Sequence, residues 1–316
     1  MSTQSTMRAI SQDVLGGPEV LKEVEVERPV PGPNQVLVRV RAAGVNPTDW
    51  KHRATGGFLG DAPFVLGWDV SGAVEAVGIG VVTFAPGDEV FGMLPYPYGH
   101  GSHAEYVIAP VRALTRKPAG IDHVQAGALP LVSLTAWQAL VEHADVRPGQ
   151  RVLIHAAAGG VGHVAVQIAK ARGAYVIGTA SAGKHEFLRG IGVDETVDYR
   201  ETDFTEAVKD VDVVLDTIGG DNALRSLRVL RPGGVVVSIL PGGSNDFYEE
   251  ADRLGVRGLR MLVDADRSDM QSIAELAGTG KLRATIAGTF PLSAAAEAHA
   301  SGDTGRTTGK LVLVND

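Results

Sequence analysis

Apolar and polar residues change their rhythm near Gly120. Before it, apolar residues alternate with polar ones or stand in short blocks broken by glycine and proline. Residues 35–40 put Val36, Val38 and Val40 on one side of a strand, and short strands are expected at 70–77, 81–84, 89–91 and 104–108. Strands this short and this spaced predict a folded-over, barrel-like domain. After Gly120 the pattern alternates strand, helix, strand. Strands are expected at 151–156, 175–179, 211–217 and 235–239, and helices at 161–171 and 223–230, the second stopped by Pro232. Such alternation predicts an α/β fold, a doubly wound parallel sheet with helices on both faces. From Lys281 onward the pieces read as β again, 311–314 among them, and this tail is expected to return to the first domain.

The stretch from Arg151 to Lys170 carries the most chemistry. An apolar strand runs into Ala156-Ala-Ala-Gly-Gly-Val-Gly162, and the helix beyond repeats apolar residues at Val161, Val164, Ala165, Ile168 and Ala169, one helical face. Gly160, Gly162 and Ala165 take the positions of a G-x-G-x-x-G/A dinucleotide turn. Gly160 would allow the tight turn, Gly162 the close approach of a pyrophosphate, and Ala165 the packing of helix on strand. The helix N-terminus turns unpaired N–H groups and a positive dipole end toward a phosphate. Ala157, Gly159, Gly160, Val161 and Gly162 are thus the expected cradle. Strand, turn and helix come in the required order, which lifts the motif above a chance match. Ile218, Gly219, Leu240 and Pro241 end later strands of the same sheet, where sheets of this kind bind ligands.

A site for NAD places an acidic residue about 20 residues past the turn, at the end of the second strand. Gly178-Thr-Ala-Ser-Ala-Gly-Lys184 contains none. A carboxylate there would repel a 2′-phosphate, whereas Ser181 offers a hydroxyl and Lys184 a charge. Tyr199 and Arg200 follow the next strand and are placed to close the same pocket. NADPH is the expected cofactor.

Composition narrows the setting. With 316 residues the chain is long enough for two cores. It has no cysteine, so disulfides, thiolate metal sites and cysteine nucleophiles are excluded. The formal net charge of −8 speaks against nucleic-acid binding. No apolar run reaches the roughly 18 residues of a membrane span. Residues 1–6 lack the basic and apolar regions of a signal peptide, and a cytoplasmic protein is expected.

These residues carry a family likeness. Ala43-Gly-Val-Asn-Pro-Thr-Asp-Trp50, Gly67-Trp-Asp-Val-Ser-Gly-Ala-Val-Glu-Ala-Val-Gly78 and Pro86-Gly-Asp-Glu-Val-Phe-Gly92 belong to it. So do Ala104-Glu-Tyr106, Leu129-Pro-Leu-Val-Ser-Leu-Thr-Ala-Trp137, the glycine turn, Val214-Leu-Asp-Thr-Ile-Gly-Gly220 and Gly309-Lys-Leu-Val-Leu313. The chain resembles the medium-chain dehydrogenase/reductase superfamily, and within it the zinc-independent quinone oxidoreductase, zeta-crystallin and enoyl reductase branch. The resemblance implies a GroES-like barrel catalytic domain from residues 1–121 and 267–316 and a Rossmann NADPH domain from 122–266. It implies a cofactor in the cleft and a homodimer formed through the Rossmann sheets. Zinc-dependent relatives carry a metal-binding Cys where this chain has Asn46, and a His-Glu pair where it has Trp68 and Asp69. No metal is expected, since Asp69 alone cannot build a three-ligand site. His100 and His103 read as part of a loop entering a strand.

The resemblance also distributes roles. Asn46 sits beside the nicotinamide and orients substrate or ribose. Asp49 and Trp50 lie at the same cleft, Trp50 as an apolar wall with one donor or, equally, as a core aromatic. Lys51 reads as a surface lysine. Thr135 faces the nicotinamide, and Lys310 joins the cofactor contacts. The expected reaction is hydride delivery to an activated C=C bond of an enone, enal or enoyl thioester, or to a quinone, by an NADPH-dependent oxidoreductase acting on a small electrophile. The alternatives are an NADPH-dependent carbonyl reductase or alcohol dehydrogenase, and a non-catalytic NADPH-binding protein. The sequence does not choose among quinone, enone and enoyl thioester, nor name a general acid.

Overall fold

The computed structural model describes residues 6–240 and 245–315. Its first stretch holds β1 (Thr6–Gln12), β2 (Lys22–Glu27), β3 (Gln35–Val45), α1 (Pro47–Thr55), β4 (Phe64–Val65), β5 (Asp69–Val77), β6 (Glu89–Met93), β7 (Tyr106–Pro110), β8 (Leu114–Arg116) and α2 (His123–Ala128). There follow α3 (Pro130–Trp137), β9 (Arg151–Ile154), α4 (Gly160–Ala171), β10 (Tyr175–Ala180), α5 (His185–Gly190), β11 (Glu195–Asp198), α6 (Phe204–Ala207) and β12 (Val211–Asp216). Then come α7 (Asp221–Ser226), β13 (Leu230–Ser238), α8 (Asp246–Leu254), β14 (Arg257–Arg260), α9 (Arg267–Gly278), β15 (Ile286–Pro291), α10 (Ala295–Asp303) and β16 (Lys310–Val314). No described helix is long and apolar enough to cross a membrane.

Contacts divide the chain into two units, Met1–Leu131 with Asp264–Asp316, and Val132–Val263. Segment 122–131, expected with the second domain, lies in the first unit, where Gly127 of α2 packs against Ala42 of β3.

In the first unit β3 is the spine. Residues 35–39 pair with β7, residues 36–42 with β5, and residues 42–45 with β16. The sheet runs β15-β16-β3-β5-β6-β8, with β7 on β3, and β2-β1-β4 form a second, smaller sheet. Val36, Val38 and Val40 are buried as their alternation requires. No strand forms at 81–84: Val82 is 95% exposed, and the segment lies between turns at Gly80 and Gly87 with nothing to pair against. The C-terminal tail does return to this unit, but with helix α10 between its two strands. Ala295 and Ala298 pack with Leu292 on Ile10, Val45, Leu311 and Leu313, an apolar face that small alanines make hard to see in sequence.

The second unit is a parallel six-stranded sheet in the order β11-β10-β9-β12-β13-β14. Counted from β9, this is the strand order of a dinucleotide-binding Rossmann fold, reversing direction between β9 and β12. Val164, Ala165, Ile168 and Ala169 of α4 are buried as expected. His163 and Val166 are buried too, so α4 is covered nearly all round, while Val161 is only half-buried. Strand β9 stops at Ile154 rather than at Ala156, because Ala156 takes φ 46° and opens the turn. The helix expected at 223–230 is α7 followed by a 3₁₀ turn, with Leu230 already in β13.

Candidate active site

The second unit builds the phosphate turn from backbone bonds. Ala156 N–H donates to Thr179 Oγ1 at 3.1 Å and Ala157 N–H to the Thr179 carbonyl at 3.0 Å, which fastens the end of β9 to β10. Gly159 N–H closes on the Ala156 carbonyl at 2.8 Å, and Gly160, Val161 and Gly162 form the first turn of α4. The left-handed residue of this turn is Ala156, not Gly160. At Gly162 a Cβ would stand 2.4 Å from the Ala156 carbonyl oxygen and 2.7 Å from Ala157 Cα. Glycine is therefore required there by the packing of helix on turn, before any ligand approaches.

At the C-terminal ends of the strands lies a cavity of about 400 Å³, lined by His155, Thr179, Tyr199, Arg200, Phe204 and Ile218 among others. His155 escaped the sequence reading. It is buried, with Nδ1 3.2 Å from Thr179 Oγ1, Nε2 3.0 Å from Ser226 Oγ, and its ring edge-on to Phe204 at 4.6 Å. Burial pushes it down to about 4, so the imidazole is neutral at physiological pH. Asp216, also missed, fixes the β12 end. Its buried carboxylate accepts from Gly219 N–H at 3.0 Å, Asn222 Nδ2 at 2.8 Å and Ser238 Oγ at 2.8 Å. That holds Ile218, 49% exposed, at the cavity mouth and Gly219 at φ 80° beside Leu240. Pro241 lies outside the described residues.

Ser181 and Lys184 stand on the 3₁₀ turn after β10, and Tyr199 and Arg200 on the turn after β11. One carboxylate joins the two turns. Asp198 accepts from Ala182 N–H and from Arg200 N–H, each at 2.9 Å, and the Arg200 bond holds its carboxyl below the usual range. The β10 end itself has no acid, as read from sequence, but the neighbouring strand supplies one, a consequence of the pairing of Ala180 with Asp198 that no linear motif shows. Thr135 is buried within α3.

In the first unit Asn46, Asp49, Asp69 and Lys310 form a buried polar cluster where β3 passes into α1. Asp49 Oδ2 accepts the Asn46 N–H at 2.7 Å and so caps α1. Asn46 Nδ2 donates to Asp69 Oδ2 at 2.8 Å, while Asn46 Oδ1 accepts from Lys310 Nζ. Lys310 Nζ also donates to the Val45 carbonyl at 3.1 Å and lies 3.5 Å from Asp69 Oδ2. Asp69 Oδ1 accepts the Leu131 N–H at 2.6 Å. Burial raises Asp49 to about 7; it also raises Asp69 and lowers Lys310, opposed in each by the charge of the other.

Residues 32–119 match the alcohol dehydrogenase GroES-like domain, and residues 191–313 a family described as zinc-binding dehydrogenase. A 2-haloacrylate reductase of a Burkholderia species is 36% identical over 95% of this chain and 96% of its own length. The quinone oxidoreductase of Coxiella burnetii superposes with a TM-score of 0.93 at 38% identity, covering 98% of this chain and all 100% of that one. The Escherichia coli quinone oxidoreductase, solved with NADPH, gives 0.89 at 29% identity, with coverage of 98% and 100%.

The chain belongs to the medium-chain dehydrogenase/reductase superfamily, in its zinc-independent branch. It is an oxidoreductase, and its kin use a nicotinamide cofactor. Zinc, which one matching family is described as binding, does not fit the residues here. The three positions in question hold an amide, an indole and one carboxylate, and that carboxylate already faces the Lys310 ammonium. No group of three His, Cys, Asp or Glu able to hold a metal occurs among the described residues. His100 and His103 do not converge. His100 Nδ1 bonds the Val65 carbonyl at 2.6 Å, while His103 is buried 5.7 Å from the ring of His299.

The fold also places the remaining site residues read from sequence. Trp50 is partly buried and packs against the α10 cluster with its ring on Gly302. Asp49 caps a helix, and Asn46 is fully buried with its side chain engaged at both ends. Lys310 belongs to the same cluster and is equally buried. Lys51 is a surface lysine, as read.

Proposed function

We propose that the chain is an NADPH-dependent, zinc-independent reductase of conjugated carbonyl compounds or quinones. The observation that carries this reading is the second unit's phosphate turn, set beside a cavity at the switch point of a Rossmann sheet. The α4 N-terminus would take the pyrophosphate and the cavity the adenosine end. Ser181, Lys184, Tyr199 and Arg200 would surround the 2′-phosphate. The Escherichia coli relative, solved with NADPH, supports that choice of cofactor.

When bound, the reduced nicotinamide supplies a hydride. The protein's own task is to hold an electrophile and stabilise charge on its oxygen. The first unit offers no Lewis acid at Asn46, Trp68 and Asp69, which suits an acceptor already activated by conjugation. We also propose a homodimer through the second sheet, where β14 is an edge strand whose residues 258–260 are only half-buried. Light scattering tests that directly.

The activity test is oxidation of NADPH by the purified protein with an enone and with a quinone, the products identified by mass. A saturated carbonyl product supports the reading. An allylic alcohol would make the protein a carbonyl reductase, and no turnover would favour a cofactor-binding protein.

A further inference from the structure

Two loops of the first unit, 55–63 and 95–103, meet in an aromatic cluster that the roles assigned above leave unused. Phe58 and Tyr96 stand edge-to-face at 6.1 Å, and His52 lies 5.9 Å from the first ring and 6.1 Å from the second. Trp68 is fully buried beneath them, 5.3 Å from Tyr96, and its Nε1 donates to the Pro97 carbonyl at 3.1 Å. The indole thus pins the loop that carries Tyr96. Phe58 is 44% exposed and Tyr96 half-buried, so flat apolar surface and one phenol face outward.

The hydrogen bonds beneath give the phenol a direction. Phe58 N–H donates to His52 Nε2 at 3.2 Å, an approach permitted by Gly57, whose Cβ would strike the imidazole. The ring proton is therefore on Nδ1. Nδ1–H donates to the Thr48 carbonyl at 2.7 Å and lies 3.1 Å from Thr48 Oγ1, so it is no acceptor for the Thr48 hydroxyl. That hydroxyl lies 3.0 Å from Tyr96 Oη, and either oxygen can be the donor; with Nδ1–H closed to it as an acceptor, Thr48 is able to donate to the phenol oxygen. Among the described residues the Tyr96 phenol has no other hydrogen-bond partner, so when Thr48 donates, the phenol's own O–H is available to a ligand. Burial lowers His52 and keeps it neutral, and raises Tyr96, so the phenol holds its proton.

We propose that Tyr96 is a catalytic residue whose phenol, aligned by Thr48 and His52, donates a hydrogen bond to the carbonyl oxygen of a flat, conjugated substrate resting on Phe58. The assignment rests on the reductase reading above. Hydride addition forms a C–H bond at the β-carbon. The alkene's electron pair moves toward the carbonyl, and the oxygen takes the negative charge beside the phenol. The α-carbon then takes a proton from water as the oxygen's charge is returned. Tyr96 keeps its proton throughout, because a phenol raised by burial is a donor of hydrogen bonds rather than of protons. Thr48 and His52 are positioning residues.

The test compares wild type, Tyr96→Phe, Thr48→Val and Thr48→Ser with NADPH as reductant and 4-phenyl-3-buten-2-one or methyl vinyl ketone as acceptor. Loss of one oxyanion donor costs about 100-fold or more in kcat. Tyr96→Phe is expected to lose that much with both enones at unchanged NADPH affinity and melting temperature. Thr48→Val is expected to lose roughly tenfold, and Thr48→Ser to recover it, a rescue that a purely structural role would not show. Phe58→Leu should raise KM for the phenyl enone by a larger factor than for methyl vinyl ketone, which covers less of the ring. Turnover by Tyr96→Phe within threefold of wild type would overturn the assignment, and an unchanged KM ratio in Phe58→Leu would overturn the substrate class. If Tyr96→Phe lowers the melting temperature, the Thr48 pair decides. A wild type that reduces neither enone nor any quinone overturns the reductase reading and, with it, this role.

Discussion

Lys310 Nζ lies 3.5 Å from Asp69 Oδ2, and both side chains are almost wholly buried, at 2% and 0% exposure. Zinc-dependent relatives carry a metal-binding Cys and a His-Glu pair at the positions of Asn46, Trp68 and Asp69. Here a lysine from the last strand supplies the positive charge, and Asn46 bridges the pair by donating to Asp69 and accepting from Lys310. Removing one partner of a buried pair leaves the other charge unpaired, at a cost of about 3–5 kcal/mol. Lys310→Met should lower the urea midpoint accordingly. The double variant Lys310→Met with Asp69→Asn should recover most of it. Failure of the double variant to recover would mean that Lys310 stabilises by packing.

Gly162→Ala tests the phosphate turn. The added methyl meets the Ala156 carbonyl and Ala157, so α4 and the turn must part. Overpacking of this kind costs about 1–3 kcal/mol. A weakening of NADPH binding by roughly ten- to a hundredfold should accompany it, at about 1.4 kcal/mol per decade. Isothermal titration reads the affinity and circular dichroism confirms the fold. Unchanged affinity would remove the α4 N-terminus from the cofactor site.

Trp50 is expected to matter for stability alone. Trp50→Ala deletes the ring that packs on Gly302 and the α10 cluster, at about 3 kcal/mol. Trp50→Phe should keep kcat within a factor of about two, since a smaller aromatic still fills most of that space. A large fall in kcat at normal melting temperature would restore Trp50 to the site.

His155 ties stability to acid. Its folded value, pushed by burial to about 4, lies below the ordinary 6.5, so the unfolded chain takes up a proton that the folded chain refuses. The stability this group contributes is present above 6.5 and is lost as pH falls from there through 4. Complete titration amounts to roughly 3 kcal/mol. His155→Gln, whose amide can still bond Thr179 and Ser226, should lose less stability between neutral pH and pH about 4.5. Urea denaturation at the two pH values checks it, and equal losses in both proteins would exclude His155 as the source.

The two-part architecture and the phosphate turn were legible because their signals are local. Alternation marks β3, and a glycine pattern between strand and helix marks the turn before α4. The α10 helix was not legible, because alanines bury little area each and give a faint apolar face. The polar clusters were hidden for a different reason. Lys310 meets Asn46, Asp198 reaches Ala182, and Tyr96 meets Thr48 only through strand pairing and loop packing that bring distant residues together. Asn46 is singled out by family likeness, but its bonds to Asp69 and Lys310 are visible only in the fold. The packing of Trp50 on Gly302 is hidden in the same way, since the two are far apart along the chain.

The most direct test of the account is a titration of wild type and Lys184→Ala with NADPH and with NADH, followed by nicotinamide fluorescence. The account predicts that wild type binds NADPH more tightly than NADH by at least tenfold, and that Lys184→Ala loses most of that margin while its NADH affinity is unchanged. Equal affinity of wild type for the two cofactors would contradict the 2′-phosphate site, and binding of neither would contradict the reductase itself.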